Sequence, residues 1–78
     1  MAKVLVVHAV FDPEVRVWFT ESSDIHGLRI EAPTFDALVE RLPGVIEDLL
    51  SDGDTGMVDA VVEVIAHASA HVRVPEAA

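Results

Sequence analysis

The run from Lys3 to Phe11 constrains the fold most, because almost every position in it is apolar. Both sets of alternating side chains are hydrophobic: Leu5, Val7, Ala9 and Phe11 in one set, and Val4, Val6 and Val10 in the other. Successive side chains of a β-strand point to opposite faces of the sheet. The run is therefore predicted to be a central strand that is covered on both faces.

Two further strands are predicted next to this one. Asp12-Pro13-Glu14 is typical of a tight turn, and Val15 to Glu21 then alternates apolar and polar residues, which indicates a hairpin. After the polar loop formed by residues 22–27, Leu28 to Ala32 alternates again. We therefore expect an antiparallel meander of three strands.

One amphipathic helix follows the meander, with Thr34 as its N-cap. Apolar residues recur at steps of three and four: Phe35, Leu38, Val39, Leu42, Val45, Ile46, Leu49 and Leu50. This spacing forms one hydrophobic stripe. Pro43-Gly44 interrupts the helix, and we expect a kink rather than two helices, because the stripe continues in phase. Residues 51–56 are predicted to form a loop.

The last segment supports two interpretations. Every even position from Val58 to Val74 is apolar, a period of two that predicts a strand. Four polar residues are also spaced as on one face of a helix: Asp59, Glu63, His67 and His71. Alanines favour the helix and β-branched residues favour the strand, and we expect the strand. At this length it would extend about 55 Å, so it must bend, bulge or overhang the domain, and an overhanging strand has an open edge that can pair.

Together these elements predict an α+β fold of order β-β-β-α-β, with residues 1–78 forming a single domain. The strand order is expected to be 3-2-1-4, with the fourth strand parallel to the first after a right-handed crossover. The helix would cover one sheet face through its stripe residues Phe35, Leu38, Leu42, Ile46 and Leu49. The second face keeps apolar side chains, with Trp18 among them, and we expect another protomer or another protein to cover it.

The small size of the chain supports the expectation of self-association. A domain near 78 residues buries only about 60% of its unfolded surface, and the absence of cysteine excludes disulfides and thiolate zinc sites. We therefore expect a dimer or a higher oligomer. The candidate interface residues lie on the last strand: Val62, Val64, Ala66, Ala68 and Ala70.

The charge excludes further classes of function. Five basic residues against fourteen acidic ones give a formal net charge of −9, and the basic residues are scattered singly. Such a chain is not expected to bind nucleic acid by itself or an anionic membrane surface. The longest apolar run, Val4 to Val7, is too short to span a bilayer, and the N-terminus lacks the pattern of a secretion signal. We therefore expect a cytoplasmic protein.

No residue pattern indicates catalysis, a metal site or a cofactor. His67 and His71 could share an ion with Glu63 only if the segment were helical, because positions four apart on a strand are about 13 Å apart. The nearby carboxylates of Asp12 and Glu14 belong to a turn. There is no nucleophile motif and no glycine-rich phosphate loop. We expect a protein that is not an enzyme.

The strongest directional feature is acidic. Between Asp36 and Glu63 the chain carries eight acidic residues and a single basic one, Arg41. One interpretation is a solvated helix face that keeps a small protein soluble. The other is a surface complementary to a basic partner protein.

Several short segments resemble one family. They are Val17-Trp18, residues 23–28 (SDIHGL) and residues 31–34 (EAPT) followed by Leu38. As a set they resemble the HicB-like antitoxin domain, in its short stand-alone branch of unknown function, over Val4 to Leu50. His26 stands where that family usually has proline.

The resemblance implies a partial ribonuclease-H-like fold that neutralises a HicA-type toxin, a small basic protein that cuts messenger RNA. It does not imply operator binding, because the DNA-binding domain of full-length HicB proteins has no counterpart in these residues. Candidate partner-binding residues are Trp18, Asp24, Glu31, Glu40, Glu47 and Asp48. The alternative function is a homo-oligomeric regulatory or ligand-binding domain without a toxin.

Overall fold

The computed structural model describes residues 3–50 and 59–76, and within them the α+β prediction is confirmed. The elements, in chain order, are β1 (Lys3–Asp12), β2 (Val17–Ser23), β3 (Glu31–Ala32), α1 (Phe35–Leu50) and β4 (Ala60–His67). The sheet has the predicted order β3-β2-β1-β4. β1 is internal, antiparallel to β2 and parallel to β4.

The core lies between α1 and one face of the sheet. Its buried hydrophobic residues come from β1, the loop and strand before α1, and α1 itself: Leu5, Val7, Ala9, Ile25, Leu28, Ile30, Ala32, Leu38, Leu42 and Ile46. The helical stripe therefore covers the sheet as predicted over its central part. Leu49 is a correction, because it is 44% exposed near the end of α1 and does not join this core.

Local hydrogen bonds define where α1 begins. The Thr34 hydroxyl accepts a hydrogen bond from the Ala37 N–H at 3.0 Å, which is the expected N-cap. α1 then continues through Pro43 for 16 residues in all, so a split into two helices is excluded.

Two strand boundaries differ from the prediction. β2 begins at Val17 rather than Val15, because Arg16 has a φ of 59°, in the left-handed region that a strand does not use. β3 is reduced to two residues, because the ladder before it is only partly backbone. The Thr20 N–H donates to the Ile30 carbonyl, whereas the Thr20 hydroxyl accepts from the Ile30 N–H and donates to the Leu28 carbonyl.

The loop before β3 was wrongly predicted to be only polar. Ile25 is 4% exposed and belongs to the core. The Ser23 hydroxyl bonds both the N–H and the carbonyl of Ile25, which holds the residue inward. Gly27 has a φ of +83°, which an L side chain rarely adopts, so glycine is the residue suited to this turn.

Trp18 lies on the face opposite to the one expected. Its ring packs between Phe11 and Phe35, with ring centroids 5.5 and 5.1 Å away, on the side of the sheet that α1 covers. The register explains this, since Trp18 is paired with Phe11 and with Ala32, which is buried in the core. Trp18 is therefore a half-buried packing residue rather than part of the uncovered face.

The last segment forms a strand, and the helical alternative is wrong over residues 60–67. The strand is also shorter than expected, since it ends at His67 rather than Val74. The last pair of the ladder joins Val10 to His67, and β1 itself ends at Asp12, so β1 is too short to pair with a strand that reaches Val74. The start at Val58 and the predicted loop 51–56 lie outside the described residues.

Shortening a buried leucine of α1 should destabilise the protein more than shortening an exposed leucine of the same helix. Leu38 is fully buried and Leu50 is 53% exposed. We predict that Leu38→Ala lowers the free energy of unfolding by about 3 kcal/mol, while Leu50→Ala costs less than about 1 kcal/mol. Urea unfolding followed by circular dichroism measures both. Equal losses would contradict this assignment of the core.

Candidate interaction surfaces

The sheet has a second face, opposite α1, that nothing in residues 3–50 and 59–76 covers; we call it the open face. The register sets its members, because paired residues point to the same side: Val4 with Val61, His8 with Ile65 and Val10 with Phe19. The apolar residues of the open face are Val4, Val6, Val10, Val17, Phe19, Val61 and Ile65. Three of them are strongly exposed, at 51% for Val4, 50% for Val61 and 40% for Ile65.

Acidic side chains stand on both sides of the open face. Glu31 of β3 pairs with Phe19, and Glu63 of β4 pairs with Val6, so both point to this side of the sheet. An exposed apolar patch with a polar rim is typical of a protein-interaction site. The interface residues predicted from the sequence are even positions of the last segment, whereas its apolar residues on the open face, Val61 and Ile65, are odd positions.

Two histidines meet on the open face. Nδ1 of His8 lies 3.3 Å from Nε2 of His67, across the β1–β4 pair. The two rings are stacked, with their centroids 5.5 Å apart and their planes 14° from parallel. Within the described part of the chain, no group of three or more histidine or acidic residues is placed to hold a metal ion.

A second candidate surface is acidic and lies on α1. Asp36, Glu40 and Glu47 are spaced by four and seven residues, which puts them on one side of the helix, away from the core. Asp48 is also exposed. We call Asp36, Glu40, Glu47 and Asp48 the acidic helix face.

The nearby cation does not neutralise the acidic helix face. The Arg41 guanidinium donates to the Glu31 backbone carbonyl at 2.6 Å, tying α1 to β3. Nor does the last turn of α1 contain a basic residue. The acidic helix face therefore presents its negative charge directly to solvent.

Asp24 forms two hydrogen bonds with the backbone of β1. Its carboxylate accepts a hydrogen bond from the Val6 N–H at 2.9 Å, and its own N–H donates to the Val6 carbonyl at 3.0 Å. These contacts extend the pairing of β1 past the end of β2. Asp24 therefore attaches the loop to β1, in addition to any role in partner binding.

The remaining predicted residues fall on separate surfaces. Glu31 is on the open face, whereas Glu40, Glu47 and Asp48 are together on α1. Among the predicted oligomer residues, Val62 and Val64 are half-buried and pack against the core, and the other three are exposed: Ala66, Ala68 and Ala70. The exposure of odd positions such as Ile65 on the open face was not predicted, although their pairing with even positions of β1 could have been inferred from a parallel register.

A shallow groove runs beside β2. It is lined by Phe19, Thr20, Glu21, Leu28, Arg29, Ile30 and Glu31. Its central hydroxyl, on Thr20, is already bonded to the two backbone groups described above.

No helix among the described residues combines the length and the hydrophobicity that a bilayer-crossing segment needs.

Comparison with known proteins addresses the family and the fold. A family model described as a domain of unknown function (DUF1902) matches residues 4–75. The chain is also similar to the crystal structure of a hypothetical protein from the extremely thermophilic bacterium Thermus thermophilus, with 32% sequence identity and a TM-score of 0.64. That similarity covers 92% of this chain and 100% of the other. No curated protein matches.

The role of Asp24 can be tested by removing its acceptor. We predict that Asp24→Ala lowers the free energy of unfolding by about 1 to 2 kcal/mol, because the Val6 N–H loses its partner. Asp24→Asn keeps an acceptor oxygen and should lose less. Glu40→Ala, also acidic and exposed, serves as the control and should change stability by no more than about 0.5 kcal/mol. Denaturant titration of the three variants checks this, and a harmless Asp24→Ala would contradict the anchoring role.

Proposed function

The chain belongs to the DUF1902 family, and we propose that it is a non-catalytic protein-interaction domain, an antitoxin of HicB-like type. Its partner would be a small basic ribonuclease of the HicA type, which it binds and masks. The observation that carries this proposal is the acidic helix face, with Glu40 and Glu47 on one side of α1 and Arg41 engaged elsewhere. The sequence segments that resemble HicB-like antitoxins support the same partner.

The position of the acids on α1 supports a role beyond solubility. The C-terminal end of a helix carries a partial negative charge, so acidic residues there cost about 0.3–1 kcal/mol each. Glu47 and Asp48 stand in this unfavourable place, and the last turn holds no basic residue. Residues kept at a cost to helix stability are expected where binding requires them.

The proposed mechanism is electrostatic steering followed by steric masking. A ribonuclease uses basic side chains to hold the phosphates of its RNA substrate. A complementary acidic surface raises the rate of encounter and then occupies the same basic side chains. The RNA is excluded because its binding surface is already covered. Since messenger RNA is the substrate of such a toxin, the proposal places the domain in the cytoplasm.

A second candidate function is favoured by the open face. Exposed Val4, Val61 and Ile65 would suit a stand-alone homo-oligomeric domain with a regulatory or ligand-binding role and no toxin. The two candidates differ in what binds to the protein. Affinity purification of the tagged protein from its native host, at low and then at high salt, distinguishes them.

If the protein is an antitoxin, a small basic protein should co-purify with it at low salt. Its ribonuclease activity should be suppressed in the complex and should appear once the complex is separated. Recovery of the tagged protein alone, as a salt-resistant oligomer, would reject the antitoxin proposal and favour the second candidate.

Charge reversal tests the acidic helix face itself. We predict that changing Glu40, Glu47 and Asp48 to Lys lowers the affinity for the co-purified basic protein by about tenfold or more at low salt, through slower association. The same variant should unfold at no lower free energy, because lysines near the end of α1 interact favourably with the helix dipole. Surface plasmon resonance at several salt concentrations and urea unfolding measure the two effects.

A matched control changes Glu14, Glu21 and Glu76 to Lys, which are exposed and lie outside α1. It shifts the net charge by the same amount and should affect binding much less. Equal loss in both triple variants would show that total charge, rather than the acidic helix face, attracts the partner.

A further inference from the structure

The free edge of β4 exposes backbone groups in a regular pattern. The Lys3 N–H donates to the Asp59 carbonyl at 3.1 Å, so the odd residues of this segment direct their backbone groups to β1. In a strand, the N–H and C=O groups of alternate residues point to opposite edges. Within the described residues, the even positions Ala60, Val62, Val64 and Ala66 therefore direct theirs outward, where the sheet ends.

The chain continues from this edge as an arm, residues 68–76. The arm contains no helix, turn or bend and is exposed at every residue, with Val72 at 77% and Val74 at 71%. It extends past the end of β1, and the molecule measures 62 Å in its longest dimension against 26 and 19 Å in the others. An extended arm whose backbone has no partner in residues 3–50 and 59–76, and whose valines are exposed, is suited to pairing with another strand.

We propose that the arm pairs with β4 of a second copy of this chain, antiparallel and centred on Ala68. A two-fold axis at Ala68 brings the outward edges together, so that each arm lies along β4 of the other copy. The paired positions are Val62 with Val74, Val64 with Val72, Ala66 with Ala70, and Ala68 with itself. Side chains that face each other in this way point to the same side of the sheet. Val72 and Val74 would then cover Val64 and Val62, which α1 leaves half-buried.

Charge complementarity selects both the partner and the register. Residues 59–76 contain one arginine, Arg73, and no lysine. In the Ala68-centred register it stands directly opposite Glu63, once on each side of the two-fold axis. If the two-fold axis lay at residue 67 or 69 instead of 68, Arg73 would stand opposite Val61 or Ile65. One segment supplying both the cation and its matching acid indicates a second copy of the same segment rather than an unrelated strand.

Pro75 is compatible with this arrangement. It is an odd position, so the N–H that proline lacks would point away from the second copy. The ladder loses no hydrogen bond, and the outer side of the added arm is closed to further strands at that point. The expected assembly is therefore a closed dimer with one continuous sheet rather than an open polymer.

The dimer goes beyond the proposed function and does not depend on it. The pairing uses β4 and the arm, and the acidic helix face of each copy remains free. An antitoxin dimer would offer two equivalent acidic faces, but the dimer would also form in a protein that has no toxin.

Analytical ultracentrifugation of the full chain, over a range of concentrations, tests the register by charge swap. Glu63→Arg and Arg73→Glu should each weaken the dimer by about tenfold, because each places two like-charged pairs in the interface. The double variant E63R/R73E restores both pairs and should restore the wild-type dissociation constant within about threefold. The control variant E47R/R73E has the same net charge as E63R/R73E. Its dimer should stay as weak as that of R73E alone.

A pair of proline substitutions tests which edge is used. Ala70→Pro removes an outward N–H and should abolish the dimer, whereas His71→Pro removes an inward N–H and should retain it. Both lie outside the core, so circular dichroism should show unchanged helix content. A wild-type chain that stays monomeric, a dimer unaffected by A70P, or a control swap that restores association as well as E63R/R73E would overturn the proposal.

Discussion

The whole architecture depends on β1 having hydrophobic residues on both faces. Its odd residues, such as Val7, pack beneath α1 and form the core, while its even residues, such as Val6, lie on the open face. A strand of this kind requires a layer on each side of the sheet. Within the described residues the chain supplies one such layer, α1. The imbalance between two apolar faces and one helix accounts for the exposed valines and for the expectation that the protein functions in a complex.

The two edges of the sheet have different consequences. On one edge, β3 is only two residues long and is held by Arg41 and by the Thr20 hydroxyl, so it offers little backbone to another strand. On the other, β4 is eight residues long and continues into the extended arm. Short edge strands are a common protection against unwanted pairing. The open edge at β4 is thus the place where association through the backbone is expected, while α1 provides a separate acidic surface.

Much of the fold could be predicted because its signals are local. The stripe from Leu38 to Ile46, the cap at Thr34 and the two-sided hydrophobicity of β1 depend on residues close in sequence. The errors occurred where a distant residue decided the outcome. Trp18 was misplaced because its side depends on pairing with Phe11, and β4 was predicted too long because its end depends on the end of β1. Ile25 is the exception, since it was missed for a local reason: the hydroxyl of Ser23, two residues away, bonds its backbone and turns it inward from a polar loop.

The candidate interaction surfaces also combine features that the sequence predicts with features that depend on distant contacts. The abundance of acidic residues, the absence of a basic stripe and the alternation of the last segment follow from the sequence alone, since charge and period are properties of the chain. Only the tertiary structure decided that Glu31 and Glu63 flank the open face, that Arg41 is engaged with β3, and that His8 meets His67. These are contacts between segments far apart in sequence. They depend on strand register, and register is determined by the packing of the whole sheet against α1 rather than by any one segment.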